Sequence, residues 1–349
     1  MHIRTLAFAV FFVASMPLAL AAEPKRPLTG DANPTYAGLD IAILAFLDTI
    51  DATACTVAVS HEGKLLYSRG YGWQDKKKAT PVKPDALFRI ASVTKAFTNA
   101  AIREAVRAGR LKLDDAAFER IAPQPKPTDP RMMAITIRQL LEHEGGWDAT
   151  ATFDPLFRQR EIGKELKIDD RPAVPRDAVR YMLARELQFD PGAKSVYSNF
   201  GYLVLGRVLE AVEKKNSYFE CLESLVLKPA GIADVKPILK RRDPREVWYP
   251  ANDLPFELLD SAGGLIATAP AVDKFLQAHW VTGTRRKPEV SHSIVYFGSI
   301  PGTTSMANQR ADGLNVTVLV NARRDEHFDA DNAMLKSAVD DELDKVAAK

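Results

Sequence analysis

Phe88-Arg89-Ile90-Ala91-Ser92-Val93-Thr94-Lys95-Ala96-Phe97-Thr98-Asn99-Ala100-Ala101 carries most of what this chain discloses about itself. Val93, Ala96, Phe97, Ala100, Ala101 and Ala105 fall on one broad face at helical spacing. Gly109 ends that helix as a C-terminal cap residue. The small residues predict burial between two layers, which suits a helix that holds a reactive group rigidly. Ser92 stands in the first turn and Lys95 follows three residues on, so an alcohol and an amine are neighbours. An ordinary serine is inert at neutral pH, whereas one beside a base can attack a carbonyl. Further along, Tyr197-Ser198-Asn199 lies on a turn before another predicted helix and offers a phenol for a proton relay. Ser-x-x-Lys and Tyr-x-Asn each occur once in the chain.

These segments and their flanks resemble those of the serine hydrolases of the class C β-lactamase and penicillin-binding-protein superfamily, which also holds esterases and D-amino-acid peptidases. Three further stretches look like family segments: Ile135-Thr136-Ile137-Arg138-Gln139-Leu140-Leu141-Glu142-His143, Phe189-Asp190-Pro191-Gly192 leading into Tyr197, and Ser261-Ala262-Gly263-Gly264-Leu265-Ile266-Ala267-Thr268. The resemblance implies an α+β, β-lactamase/transpeptidase-like fold. In that plan the two ends of the chain share one antiparallel sheet flanked by helices. An all-helical lobe sits beside it, and the active site occupies the crevice between them.

The residue patterns agree with that plan. Leu39 to Thr49 reads as a first helix after a polar, proline-bearing tail. Cys55 to Val59 and Leu65 to Ser68 read as a hairpin around His61-Glu62-Gly63. Four prolines between residues 121 and 131 mark a boundary. Helical patterns follow at Ile137–His143, Arg176–Leu187, Gly201–Lys214 and Tyr218–Val226. Val295–Ser299, Thr303–Gln309 and Leu314–Asn321 form a meander, with turns at Pro301-Gly302 and Asp312-Gly313. Asn332 to Ala347 places Leu335, Val339, Leu343 and Val346 on one stripe that should pack on the sheet. The expected organisation is a signal peptide at 1–22, a discontinuous α/β lobe at 23–120 and 236–349, and a helical lobe at 121–235.

The start has a short basic region, an apolar run from Leu6 to Leu18 and small residues at Ala19-Leu20-Ala21-Ala22, the pattern of a secretory signal. The run is shorter than the roughly 20 residues a spanning helix needs. A periplasmic or secreted protein, without a stable membrane anchor after signal removal, is expected. The 47 basic residues nearly balance 45 acidic ones, which argues against a nucleic-acid partner. Lys76-Lys77-Lys78 and Arg285-Arg286 read as solvated loop faces. Cys55 and Cys221 read as two buried free thiols. Two cysteines without clustered histidines give no zinc pattern, and neither metal nor cofactor is expected.

The catalytic candidates are Ser92 as nucleophile, with Lys95 and Tyr197 to move its proton. Burial makes an ammonium costly, and an ammonium beside a phenol favours its phenolate, so either group can serve as first base. Asn199 is expected to donate to Lys95 or to a substrate carbonyl. His143, followed by Glu144-Gly145-Gly146, reads as a structural histidine at a helix end. Trp147 suits the crevice wall and the core about equally.

The resemblance implies a third element, a strand bearing Lys-Thr-Gly or His-x-Gly shortly before a turn. Counting back from Pro301-Gly302 puts it at Tyr296-Phe297-Gly298, where the glycine is kept and a tyrosine replaces the cation. His292 stands four residues upstream, about 13 Å along a strand, too far to substitute. Gly298 would let substrate approach the strand edge. By the family's geometry, the N–H groups of Ser92 and Ser299 would form the oxyanion hole. A tyrosine cannot neutralise a substrate carboxylate, so simple esters or uncharged amides are expected to fit best, unless Arg285, Arg286 or Arg310 restores the charge. The expected function is an exported serine hydrolase acting through an acyl-enzyme on a small-molecule ester, amide or peptide. The alternatives are a β-lactamase or D-alanyl-D-alanine carboxypeptidase, and a binding protein that kept the fold without turnover.

Overall fold

The structure is a computed structural model that describes residues 26–239, 241–250, 254–286 and 293–347. The expected signal peptide at 1–22 and His292 lie outside the described residues. In chain order the strands are β1 (Leu28–Thr29), β2 (Ala54–His61), β3 (Lys64–Gly72), β4 (Phe88–Arg89), β5 (Val235–Pro237), β6 (Leu265–Ala267), β7 (Ile294–Ile300), β8 (Thr303–Gln309) and β9 (Asn315–Val320). Six of them form one antiparallel sheet in the order β1-β3-β2-β9-β8-β7. The expected hairpin and meander are its two halves. They meet where β2 pairs with β9, with Val57 opposite Val318. A small second sheet, β4-β6-β5, runs up to the segment that carries Ser92.

Both faces of the large sheet are covered, and the alternation along its strands assigns each side chain to a face. Cys55, Val57 and Val59 of β2, with Val316, Val318 and Val320 of β9, pack against Leu39, Ile43 and Leu47 of the Ala37–Thr49 helix and Leu335, Val339 and Leu343 of the Phe328–Ala347 helix. Ala54, Ala58 and Leu319 face the opposite way, into the larger core. There Phe97 and Phe275 stack with ring centroids 4.1 Å apart. Cys55 and Cys221 are both free and buried.

The helical segments differ from expectation mainly at their ends. Asn199–Glu213 begins two residues early, because the Ser198 hydroxyl caps it by accepting from the Gly201 N–H at 3.2 Å. Pro175–Met182 stops short of Leu187, where the chain turns and the Leu183 carbonyl accepts from the Thr128 N–H at 2.8 Å. The segment before residue 38 is not merely a tail, since Leu28–Thr29 pairs with β3. Two helices in the last third, Phe256–Gly263 and Ala269–Ala278, had no clear sequence signal. They are eight and ten residues long, too few turns for an apolar period to stand out along the chain. Among the described residues no helix is long and apolar enough to cross a membrane.

Candidate active site

Ser92 sits in a 3-10 turn, Ala91–Val93, that runs directly into the Thr94–Arg107 helix. The expectation placed it inside the first α-helical turn; it lies one step earlier. The reason is the sharp entry from β4, with Ala91 held at φ +45°. Its N–H still belongs to the cluster of unpaired donors at a helix N-terminus, where partial positive charge collects.

The two remote segments converge. Ser92 Oγ lies 2.6 Å from Tyr197 Oη, and Lys95 Nζ donates to Ser92 Oγ at 3.2 Å. Lys95 is fully buried in its stem, and its ammonium finds two further acceptors: Asn199 Oδ1 at 2.7 Å and the Ala262 carbonyl at 2.6 Å. Tyr197 is 48% exposed and stands at the mouth, its ring centroid 4.9 Å from Lys95 Nζ.

Asn199 corrects the expectation in one respect: it accepts from Lys95 rather than donating to it. An ammonium has only N–H groups to offer, so the amide must present its oxygen. The Asn199 Nδ2 donates instead to Asp154 Oδ2 at 2.6 Å, which fixes the amide's orientation. Neither Asp154 nor the Ala262 carbonyl was singled out from the sequence. Asp154 had no signal. Ala262 lies in the Ser261–Thr268 stretch noted for its resemblance, but a backbone carbonyl leaves no mark in side-chain pattern.

His143 is more than a helix-end residue. Its ring packs on Tyr197 and Tyr202, with centroids 4.7 and 5.0 Å away, and its Nδ1 accepts from the Ser198 N–H at 3.1 Å. It thereby supports the turn that aims Tyr197. Burial, and then the Lys95 charge, push its pKa down to about 4, so the imidazole is neutral near pH 7. Trp147 belongs to the core: it is buried against Phe118 and Phe200.

β7 forms the opposite wall. A Cβ on Gly298 would collide with the Ile90 carbonyl and Ser305 Oγ and would come 2.9 Å from Ser92 N. The glycine therefore lets the strand lie against the Ser92 backbone, a tighter constraint than the expected opening for substrate. Ser299 lines the pocket, with its hydroxyl turned back to the Thr303 carbonyl at 3.4 Å. Tyr296 is half-buried beside Tyr197. Burial first, and then Tyr197, push its hydroxyl well above the ordinary value for a phenol.

The pocket between these walls has a volume of about 420 Å³. Besides the residues above, Phe157, Leu259, Phe297, Ile300 and Phe328 give it an apolar lining. None of the three arginines expected as charge donors reaches it. Arg285 pairs with Glu104, Arg310 with Asp312, Asp340 and Asp344, and Arg286 bonds Asn315 and the Leu276 carbonyl. Arg323, which sequence reading missed, lines the pocket instead; its Nε lies 2.8 Å from Asp325.

Comparison with known proteins agrees with this architecture. The chain is 31% identical over 235 residues to the probable fimbrial assembly protein FimD, serogroup H1, of Dichelobacter nodosus, covering 64% of this chain and 56% of that one. The chain spans about half the length of the curated relatives it matches. The D-amino acid amidase of Ochrobactrum anthropi SV3, solved with L-phenylalanine, superposes with a TM-score of 0.67 at 21% identity, over 88% of this chain and 100% of that one. The hydrolase EstCE1, described as having promiscuous acyltransferase activity, gives 0.67 at 17% identity over 87% and 98%. The family model described as Beta-lactamase matches residues 45–318, so the chain belongs to the Beta-lactamase family and has the β-lactamase/transpeptidase-like fold.

Proposed function

We propose that the chain is an exported serine hydrolase that forms an acyl-enzyme on Ser92 and cleaves small esters or amides with an apolar acyl part. One observation carries this reading: Ser92 Oγ lies within hydrogen-bond reach of both Tyr197 Oη and Lys95 Nζ, at the mouth of an apolar pocket. Three acceptors surround Lys95 Nζ, and an ammonium has three N–H groups to satisfy them. That arrangement favours Tyr197 as the first base. In this mechanism Ser92 Oγ attacks the carbonyl carbon and its proton passes to the Tyr197 oxygen, 2.6 Å away. Tyr197 then protonates the leaving group as the acyl bond breaks. The Ser92 and Ser299 N–H groups receive the oxyanion, each such donor contributing about 3 kcal/mol. Water, activated in the same way, releases the acyl group.

A fluorophosphonate should label the protein at Ser92, and Ser92→Ala should abolish labelling. Labelling that survives the substitution removes Ser92 from the mechanism. The second reading, hydrolysis of carboxylate-bearing β-lactams or peptides, draws on Arg323 in the lining. Its pairing with Asp325 and the tyrosine at position 296 weigh against it. Turnover of a chromogenic cephalosporin faster than that of a short p-nitrophenyl ester would reverse the order.

A further inference from the structure

A second cavity, about 530 Å³, lies on the helical side of the molecule, away from Ser92. Its walls come from the Ala117–Ile121 helix and the residues after it, from Pro175–Met182 and from Asn199–Glu213. Ile121, Pro123, Val179 and Leu183 make one side apolar. Arg176, Arg180 and Arg207 bring three guanidinium groups to the other. Two of them are engaged: Arg176 lies 3.4 Å from Glu210, and Arg207 bonds Glu210 and Asp260. Asp177, the other lining acid, is bonded by Arg171. Arg180 is exposed. Arg207 is only 6% exposed, and its Nη1 is buried without a partner among the described residues. A buried donor of that kind is costly and is normally satisfied.

Arg207 also connects this cavity to the catalytic lysine. Its Nη2 donates to Asp260 Oδ2 at 2.6 Å. Asp260 is held at φ +28°, ψ −118°, a conformation that a non-glycine residue keeps only when its surroundings enforce it. Two residues on, the Ala262 carbonyl accepts from Lys95 Nζ at 2.6 Å. Between them the Ser261 carbonyl accepts from Thr98 Oγ1 at 2.7 Å, so the turn is clamped to the helix that bears Lys95. The Arg207 guanidinium thus holds a strained turn whose next residues anchor the lysine.

We propose that this cavity is a regulatory site for a small carboxylate with an apolar body, and that its occupancy slows acylation at Ser92. The coupling half rests on the serine-hydrolase reading; the binding half does not. The apolar wall takes the hydrocarbon, while Arg180 takes the carboxylate within the field of the Arg207 guanidinium, which lines the same cavity. Sharing the Arg207 charge with a ligand weakens its hold on Asp260 and loosens the anchor of Lys95. Such coupling between sites typically amounts to roughly 5- to 150-fold.

The test uses phenylacetate and its neutral analogue phenylacetamide. Calorimetry on the Ser92→Ala chain measures binding without turnover. Saturable phenylacetate binding is expected, at least tenfold weaker for the amide and in each of the Arg180→Ala and Ala211→Phe variants. Both positions are exposed, so neither change burdens folding; the phenylalanine fills the cavity. In the Ser92-bearing chain, saturating phenylacetate should slow fluorophosphonate labelling at least about fivefold, and both variants should escape the effect. No saturable binding, or binding indifferent to both variants and therefore located elsewhere, overturns the site. Binding that leaves labelling unchanged overturns the regulation. A chain that binds phenylacetate as expected but is never labelled defeats the hydrolase reading and, with it, the regulatory role.

Discussion

In the proposed mechanism three side chains bear the chemistry, and their environments divide the work among them. Lys95 is buried and triply bonded, Ser92 is half-buried, and Tyr197 is open to solvent on one side. The exposed partner is the one able to meet a leaving group. Tyr197→Phe keeps the ring that packs on His143 and faces Lys95 but deletes the hydroxyl 2.6 Å from Ser92. Ester turnover should fall by roughly 10²–10⁴ while the unfolding midpoint stays within a few degrees. Steady-state kinetics beside a thermal melt checks both, and near-normal turnover would leave Lys95 as the working base. Ser92, Lys95 and Tyr197 were legible in the sequence because the Ser-x-x-Lys and Tyr-x-Asn motifs, read with their flanks, resemble those of a known family. Asp154 was not, because its role is to hold Asn199, and that contact joins segments 45 residues apart.

Elements set the distances that those residues need. β7 must touch the Ser92 backbone, and only a residue without Cβ permits it. Gly298→Ala should push the strand off the 3-10 turn, lowering kcat/KM by about 100-fold if it displaces one oxyanion donor, with a stability loss of about 1–3 kcal/mol from overpacking. Kinetics and denaturant unfolding measure the two separately. A variant with unchanged kcat/KM would show that β7 does not complete the site. Turns and strand alternation disclosed the hairpin and the meander in advance. The Phe256–Gly263 and Ala269–Ala278 helices stayed hidden, since they are stabilised by the layers they lie between more than by their own pattern.

Across the whole molecule, one buried acid ties stability to pH. Asp273 lies on the Ala269–Ala278 helix where it meets the sheet. Its Oδ2 accepts from Gln277 at 3.1 Å, and its Oδ1 has no partner among the described residues. Burial raises its pKa to about 7, against the opposing pull of Ser60, Gln277 and Arg286. The folded carboxyl keeps its proton up to that pH, whereas the unfolded one releases it near 3.9. Its contribution is therefore full below about pH 4, declines as pH rises and levels off above about 7. Asp273→Asn removes that decline. The variant should gain on the parent by on the order of 3 kcal/mol between pH 5 and pH 8, as read from denaturant unfolding at both values. An advantage equal at the two would mean the carboxyl does not titrate there.

By itself, the sequence determined the reactive residue types and the strand and helix periods, because these follow from local spacing and from apolar alternation; the membership of both chain ends in one sheet was implied only by the family resemblance. Tertiary structure alone decided which partner each polar atom takes: Asn199 with its oxygen to Lys95, Ala262 lending a carbonyl, Arg323 rather than Arg285 at the pocket, Arg207 holding Asp260. Those choices depend on directions and distances between segments far apart in the chain. No periodicity along a single segment encodes them.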